Sequence, residues 1–413
     1  MKDNNVISLE KPEGNFNDQL TEILRQGCTR ILKEALEVEI RTFIEHYKHL
    51  KDDQGKQRII RNGYLPEREV QTGIGQVAVC VPRSRDQDAN GKPIRFHSVL
   101  LPPYLRRTRS IEELLPWLYL KGISTGDFSD ALAALLGRDA PGLSPQTISR
   151  LKGKWKGELD QWSKRELKGK RYLYMWVDGI YCNVRMEEKH CLLVIIGVTE
   201  EGKKELVALE DGYRESELSW KGVLRDLKRR GLEECPKLAI GDGALGFWKA
   251  LGQIYPGTKW QRCWVHKTAN VLNKLPKSLQ SKAKKLLHEI WMAPGREEAE
   301  KSFDHFIEIY GAKYPKAVEC LRKDREILLA FYDFPAEHWR HIRTTNPIES
   351  TFATVRLRTN KVKSCFSGQT VVAMAFQLCR CAEKRWKKIN GVNQLSKIME
   401  GIMFVDGMEE NAA

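Results

Sequence analysis

The chain has 413 residues, 41% of them hydrophobic and 30% charged, which is enough apolar material for a sizeable core and excludes wholesale disorder. Its 69 Lys and Arg outnumber 54 Asp and Glu, giving a net charge of +15. A surplus of this kind suits a polyanion, either nucleic acid or an anionic membrane surface. The membrane reading fails, because no run approaches the ~20 apolar residues of a bilayer span. The longest clean stretch, Cys191 to Val198, has strand length. Met1 to Asn15 carries charge without an apolar segment, so no secretory signal is expected. The ten cysteines are scattered and form no Cys-x-x-Cys pair, the usage of reduced thiols in a cytoplasmic protein.

From Asp18 to Tyr47, apolar residues recur at helical spacing and predict a long amphipathic helix. Val77, Val79 and Val81 alternate with smaller or polar residues after Gly73 and Gly75, the pattern of a hairpin flanked by Arg83, Arg85, Arg106, Arg107 and Arg109. Residues 111–157 read as helices. Ser144-Pro145 supplies a cap and a first-turn proline for the last of them, over Thr147 to Trp155. As the second element of a helix–turn–helix it offers Gln146, Thr147 and Arg150 at its N-terminal end, where short polar and Arg side chains reach base edges. Lys152 to Arg171, with eight basic and three acidic residues, reads as a basic connector.

The period then switches. Strands are expected at Tyr172–Val177, Cys191–Val198, Lys204–Leu209, Lys237–Gly241 and Lys259–Trp264, with helices over Ser216–Arg230 and from Ala244. Three strands in a meander, followed by two reached through helical crossovers, make a mixed sheet flanked by helices. Residues 267–340 are predominantly helical. A further helix begins at Asn346-Pro347, and residues 351–390 carry nine Lys or Arg against one acid. The tail after Val405 reads as frayed.

Three acids stand out by position. Asp178 and Asp242 each follow an apolar strand and precede glycine, and Glu349 lies in the first turns of a helix in basic surroundings. If the first and fourth strands are neighbours, the two aspartates emerge together at the sheet edge, where open α/β sheets place their sites. Clustered carboxylates repel unless a cation neutralises them, and hard oxygen ligands favour Mg²⁺ or Mn²⁺. Two such ions serve phosphodiester chemistry. Alone, one Asp-Gly after a strand is a turn-former; three acids in this strand order favour the metal reading.

The segments Trp176-Val-Asp-Gly-Ile-Tyr181, Gly241-Asp-Gly-Ala-Leu-Gly246, Gln261-Arg-Cys-Trp-Val-His266 and Asn346-Pro-Ile-Glu-Ser350, the last followed by Arg356 and Arg358, together resemble the Mutator-type transposases of bacterial insertion sequences. Arg61-Asn-Gly-Tyr64, Val81-Pro-Arg83 and Gly122-Ile-Ser-Thr125 are similar to the same family, so the resemblance spans about residues 20–400. It implies a DDE transposase: an RNase H-like five-stranded mixed sheet, interrupted by an α-helical insertion and preceded by a helical, helix–turn–helix DNA-binding region. Asp178, Asp242 and Glu349 match the acidic triad that holds Mg²⁺ or Mn²⁺ as two ions, and Arg356, Arg358 and Lys361 fall where basic residues contact the transposon end. The implied domains are 1–110 for DNA binding or oligomerisation, 111–157 for the helix–turn–helix, 172–266 with 341–390 for catalysis, 267–340 for the insertion, and 391–413 as tail. The implied partners are double-stranded DNA, as terminal inverted repeats and target, and further copies of the chain in a homodimer or larger synapse. The location implied is the cytoplasm, on the nucleoid. Family members often carry Arg where this chain has Gly126, which removes one phosphate contact upstream.

Cys263 and His266 match a family signature whose spacing invites zinc, but a structural zinc site needs four ligands and no second local pair exists. They are expected to support the active-site architecture. Trp260 and Trp264 suit core packing better than base stacking. Two other readings of the chain stay open from sequence: an RNase H-like nuclease or resolvase that cuts without joining, and a domesticated DNA-binding regulator.

Overall fold

The computed structural model describes residues 19–52, 54–88, 93–108, 110, 111, 114, 118, 145–184, 188–212, 214–243, 245–361 and 368–410, and at 145–148 and 357–361, among others, the backbone alone. Most of the expected helix–turn–helix therefore lies outside the described residues, as do the side chains of Gln146, Thr147, Arg358 and Lys361. Two compact units divide the chain, one ending at Leu151 and the other beginning at Lys152. No helix among the described residues is long and apolar enough to cross a membrane.

In the first unit, α1 (Gln19–His46) matches the expected amphipathic helix. Strand β1 (Ile59–Tyr64) pairs antiparallel with β4 (Pro82–Asp86), and β2 (Arg68–Thr72) with β3 (Gly75–Val79), the hairpin read from the alternating valines. Val70, Val77, Val79 and Val81 close on Leu36 of α1 and on Leu101. Of the arginines flanking the hairpin, Arg83 donates to the Asn62 carbonyl at 2.7 Å, and Arg61 of the Arg61-Asn-Gly-Tyr64 segment pairs with Glu37 at 2.6 Å. The outer face of α1 leaves Leu20, Ile23, Leu24, Ile31 and Val38 exposed.

Helix α2 (Pro145–Ser163) begins where Ser144-Pro145 predicts but runs beyond Trp155. The front of the expected basic connector is thus helical. Leu151, Trp155, Leu159 and Trp162 recur at helical spacing, and this apolar stripe carries the helix on through the charge run.

The second unit is built on a five-stranded sheet of order β7–β6–β5–β8–β9, comprising β5 (Tyr174–Val184), β6 (Glu188–Val198), β7 (Lys204–Gly212), β8 (Leu238–Gly241) and β9 (Lys259–Arg262). The first three form an antiparallel meander, and β8 and β9 add in parallel through α3 (Glu217–Arg229) and α4 (Leu245–Ile254), as the element order requires. The period-two alternation of β5 sorts its side chains. Met175 and Val177 join the core formed with Trp220 and Leu224 of α3 and Phe247 and Leu251 of α4. Tyr174 and Trp176 face the other way, where they bond to the His338 ring (2.8 Å) and the His341 carbonyl (3.1 Å).

Between β9 and the last long helices, α5 (Trp264–Leu272), α6 (Lys277–Met292), α7 (Arg296–Gly311) and α8 (Pro315–Arg322) are joined to the sheet by buried polar contacts. The Gln261 amide donates to the Leu328 carbonyl at 3.0 Å and accepts from Phe331 N at 2.8 Å. Trp264 is fully buried and donates to the same carbonyl at 2.8 Å, while Trp260 packs against Trp248, so both serve the core. Asp324 receives both Arg262 (2.8 Å) and Lys267, all three side chains being almost entirely buried. Two helices, α9 (Asn346–Lys361) and α10 (Gly368–Glu383), follow. The tail departs from the frayed reading. Phe404–Val405 and Met408–Glu409 form a two-strand hairpin around Asp406-Gly407, both at positive φ, the turn that Asp-Gly favours. The Asp406 carboxylate accepts from Arg296 N at 2.6 Å, which docks the hairpin.

Removing the carboxylate of Asp324 leaves two buried cations uncompensated, a loss of about 3–5 kcal/mol. Asp324→Ala should therefore lower the chemical denaturation midpoint sharply, whereas Asp304→Ala, at an exposed pair with Arg325, should barely move it.

Candidate active site

The two ladders of β5 have different lengths, and this creates the site. Its antiparallel ladder with β6 runs from Tyr174↔Val198 to Val184↔Glu188, but its parallel ladder with β8 stops at Val177↔Gly241. Asp178 is therefore not the strand's last residue, as the sequence suggests; it is the first one beyond the β8 pairing. The long apolar β6 keeps β5 extended past it, while Asp242-Gly243 turns β8 away into α4. Asp178 Oδ1 accepts from Gly179 N at 2.8 Å, and the Asp242 carbonyl accepts from Trp248 Nε1 of α4 at 2.9 Å. A Cβ at Gly243 would lie 2.0 Å from the Arg262 guanidinium, so only glycine lets that plane lie against the turn. Arg262 is in turn held by Asp324.

Glu349 is brought in by α9. The helix begins one residue earlier than the Asn346 cap expected from sequence: Thr345 precedes it, its carbonyl accepting from Ile348 N (3.0 Å) and Glu349 N (3.1 Å). Thr345 is fully buried and joins several site residues. Its hydroxyl donates to Glu349 Oε1 at 2.7 Å, lies 3.2 Å from Cys263 Sγ and 3.4 Å from His266 Nδ1, and its N–H lies 3.3 Å from the same sulfur. Cys263 caps α5 just after β9, and His266 sits one turn on. His266 Nδ1 is 3.8 Å from Glu349 Oε1, and ligand atoms of Cys263, His266 and Glu349 all lie within 4.8 Å of one another.

Electrostatics tie the aspartates to this group. Hydrogen bonding to Cys263 raises the His266 imidazole to about 9 against the opposing effect of burial, and the charges of Cys263, Asp242 and Asp178 add to the rise. Burial pushes the Asp178 carboxyl up to about 6 and Asp242 adds to this; His266, the Gly179 N–H and Arg356 oppose it. Of the sequence-derived residues, Cys263, His266 and Glu349 are brought into close contact, whereas Asp178 and Asp242 act on His266, and Arg356 on Asp178, through charge rather than within that tight group. Arg356 is exposed on α9, two turns beyond Glu349. Arg150 is exposed on α2 in the other unit's last turn of chain.

Two members were missed from sequence. Thr345 carries no motif of its own, although its place before Asn-Pro is that of a helix cap. Glu215 precedes the Ser216 cap of α3, and burial together with the charges of Asp178 and Asp242 pushes its carboxyl up to about 7.

Acids near the C-terminal ends of strands in a mixed sheet flanked by helices, in a chain of net charge +15, define the class: an α/β protein with an acidic centre in basic surroundings. The particular family follows from comparison: the family model described as "Transposase, Mutator family" matches residues 3–388, and the chain belongs to the Mutator family of transposases. It is 55% identical over 289 residues to the transposase for insertion sequence element IST2 of Acidithiobacillus ferrooxidans, covering 68% of this chain and 96% of that one. It is 50% identical over 298 residues to the transposase for IS6120 of Mycolicibacterium smegmatis (72% and 92%), and 30% identical over 346 residues to that for IS905 of Lactococcus lactis (83% and 84%). Membership places the chain among insertion-sequence transposases rather than resolvases.

A carboxyl raised in the folded state binds its proton more tightly there than in the unfolded chain, so its contribution to stability falls as pH rises from about 4 to about 6. In EDTA, Asp178→Asn should match or exceed the wild-type Tm at pH 8, and this advantage should shrink at pH 5 and vanish below about pH 4. A uniform loss at both pH values would contradict the buried, like-charged setting assigned to Asp178.

Proposed function

We propose that the chain is the transposase of an insertion sequence, binding the element's terminal inverted repeats and carrying out metal-dependent cleavage and strand transfer of double-stranded DNA. In this reading the sheet of the second unit is RNase H-like, formed by 172–266 with 341–390 and interrupted by the helical insertion 267–340, and Asp178, Asp242 and Glu349 are its DDE triad. The observation that carries the reading is that acids from β5, from the end of β8 and from α9 all act on one imidazole, that of His266.

The donor set suits Mg²⁺ or Mn²⁺: the oxygens are hard, they come from three elements, and the Asp178 carboxylate is held back from ionising by burial and a like charge, a penalty that a cation removes. Two divalent ions held by Asp178, Asp242 and Glu349 would activate the attacking oxygen and stabilise the leaving one. The chain's own groups do the rest. Thr345 fixes Glu349 through its 2.7 Å hydrogen bond, so the carboxylate is oriented before substrate arrives. His266, cationic near neutrality, offsets the carboxylates and presents positive charge to a scissile phosphate. Arg356, with Arg358 and Lys361 further along α9, continues that positive charge toward the flanking backbone. Gln146, Thr147 and Arg150 at the start of α2 are assigned to the element end. The exposed apolar stripe of α1 gives a second copy a surface to pair with, as a homodimer or larger synapse requires, and such a complex would reside on the nucleoid.

Alanine at Asp178 or Glu349 should reduce Mg²⁺-dependent cleavage and joining of a pre-nicked end by about 10³-fold, several kcal/mol at 1.36 kcal/mol per decade. Gel-shift affinity for the inverted repeat should remain within about threefold of wild type. Retained joining in either variant sinks the triad assignment.

A further inference from the structure

We infer that Glu215 is a fourth carboxylate of this acidic centre and helps hold its divalent cations, an inference that rests on the proposed triad of Asp178, Asp242 and Glu349. The argument begins with two glycines. A Cβ at Gly179, the residue after Asp178, would lie 2.4 Å from both Cδ and Oε1 of Glu215 and 2.6 Å from its Cγ. Carbon atoms do not approach so closely, so the side chain of Glu215 occupies the space that only a glycine leaves beside the first aspartate. A Cβ at Gly246, four residues after Asp242, would meet Glu217 N at 2.6 Å, Ser216 C at 2.7 Å and Glu215 O at 2.8 Å. The backbone that carries Glu215 is therefore seated against the turn of the second aspartate. Each acidic motif, Asp178-Gly179 and Asp242-Gly-Ala-Leu-Gly246, contributes one glycine to the same cradle.

The segment is held firmly. It leaves β7 at Gly212 and enters α3 at Glu217, with Ser216 Oγ accepting from Ser219 N at 3.1 Å as the cap. Alternation along β5 sends Asp178 to the α9 face and the missing Cβ of Gly179 to the α3 face. Glu215 thus approaches from the side of the sheet opposite Glu349. Because β8 ends level with Val177, the edge of β5 at 178–179 is open there, and the Glu215 side chain lodges against Gly179, the neighbour of Asp178, at that edge. The charges acting on Glu215 are those of Asp178 and Asp242, with His266 as the cation opposing them. A carboxylate kept only for structure would be expected beside Lys or Arg. Two acidic motifs that keep glycines to admit a further acid make physical sense when cations share the load.

The test uses the full-length chain and Mn²⁺ alone, with calorimetric titration and thermal melts in EDTA and in Mn²⁺. Glu215→Gln should weaken Mn²⁺ binding about tenfold or more, keep or raise the Tm in EDTA, and shrink the rise in Tm that Mn²⁺ produces. Gly179→Ala, which displaces the Glu215 side chain while leaving every carboxyl in the chain, should weaken Mn²⁺ binding in the same sense. Wild-type Mn²⁺ affinity in Glu215→Gln overturns the inference, and so does a Tm in EDTA several degrees below wild type, the mark of a purely structural residue. Asp178→Asn and Asp242→Asn separate the two levels. If they lose Mn²⁺ binding while Glu215→Gln retains it, the triad stands without its fourth member; if they retain it, the triad itself fails.

Discussion

The second unit depends on an inequality between two hydrogen-bond ladders. Strand β5 pairs with β6 along its whole length but with β8 over only the four residues up to Val177. Everything chemical in the unit is arranged at the step this leaves. Asp178 stands just past it on a strand that β6 keeps straight, and Asp242 stands where β8 gives way to α4. Without the overhang, the backbone at Asp178 would be covered by a neighbouring strand; without the β6 ladder, it would sit on a loose turn. Every residue of β6 from Cys191 to Val198 is buried, and this long apolar run determines where an acid can remain half-buried yet reachable.

A second constraint links the helical insertion to the same step. Asp324, from the segment after α8, holds Arg262 at the end of β9, and a guanidinium nitrogen of Arg262 fills the space beside Gly243, next to Asp242. Lys267 of α5 shares the same carboxylate. Such a buried triad contributes little net stability compared with apolar packing of equal volume, since desolvation of three charges offsets their attraction. What it supplies is a fixed position: a guanidinium plane that can lie in only one place under the turn. The Cys263–Thr345–Glu349 contacts do the same from the other side, joining the start of α5 to the start of α9. The Cys263-x-x-His266 pair is part of the frame around Glu349.

Much of this was legible in the sequence, for identifiable reasons. Strands β5 to β9 announce themselves as apolar runs bounded by Gly or charged turns, and the meander-then-crossover order fixes which of them are parallel. Asp178 and Asp242 were found because each follows such a run. What was not legible depended on distant pairing. That β5 continues beyond Asp178 is decided by β6, not by Cys182-Asn183-Val184 themselves. Glu215 looks like any acid ahead of a helix cap, where the helix dipole alone explains it; only the empty space at Gly179 and Gly246 distinguishes it. The basic run from Lys152 masked a helix because its charge obscures the Leu151–Trp155–Leu159–Trp162 stripe. Asp406-Gly407 is a recognised hairpin signal, but two-residue strands are too short to show alternation, so the tail reads as frayed.

The electrostatic plan follows from these placements. A chain of net charge +15 attracts a polyanion at long range, yet the proposed centre is rich in carboxylates that would repel the same polyanion at short range. His266 and Arg356 soften this conflict from within the chain, the first raised toward its cationic form by its neighbours and the second standing two turns from Glu349. They do not remove it, since Asp178 and Glu215 both remain pushed upward by burial and like charge. The remaining imbalance is a reason for divalent cations and phosphates to enter together: the cations relieve the carboxylates, and the site, once neutralised, no longer repels the backbone. On the proposed reading, such a centre would stay electrostatically closed until both arrive.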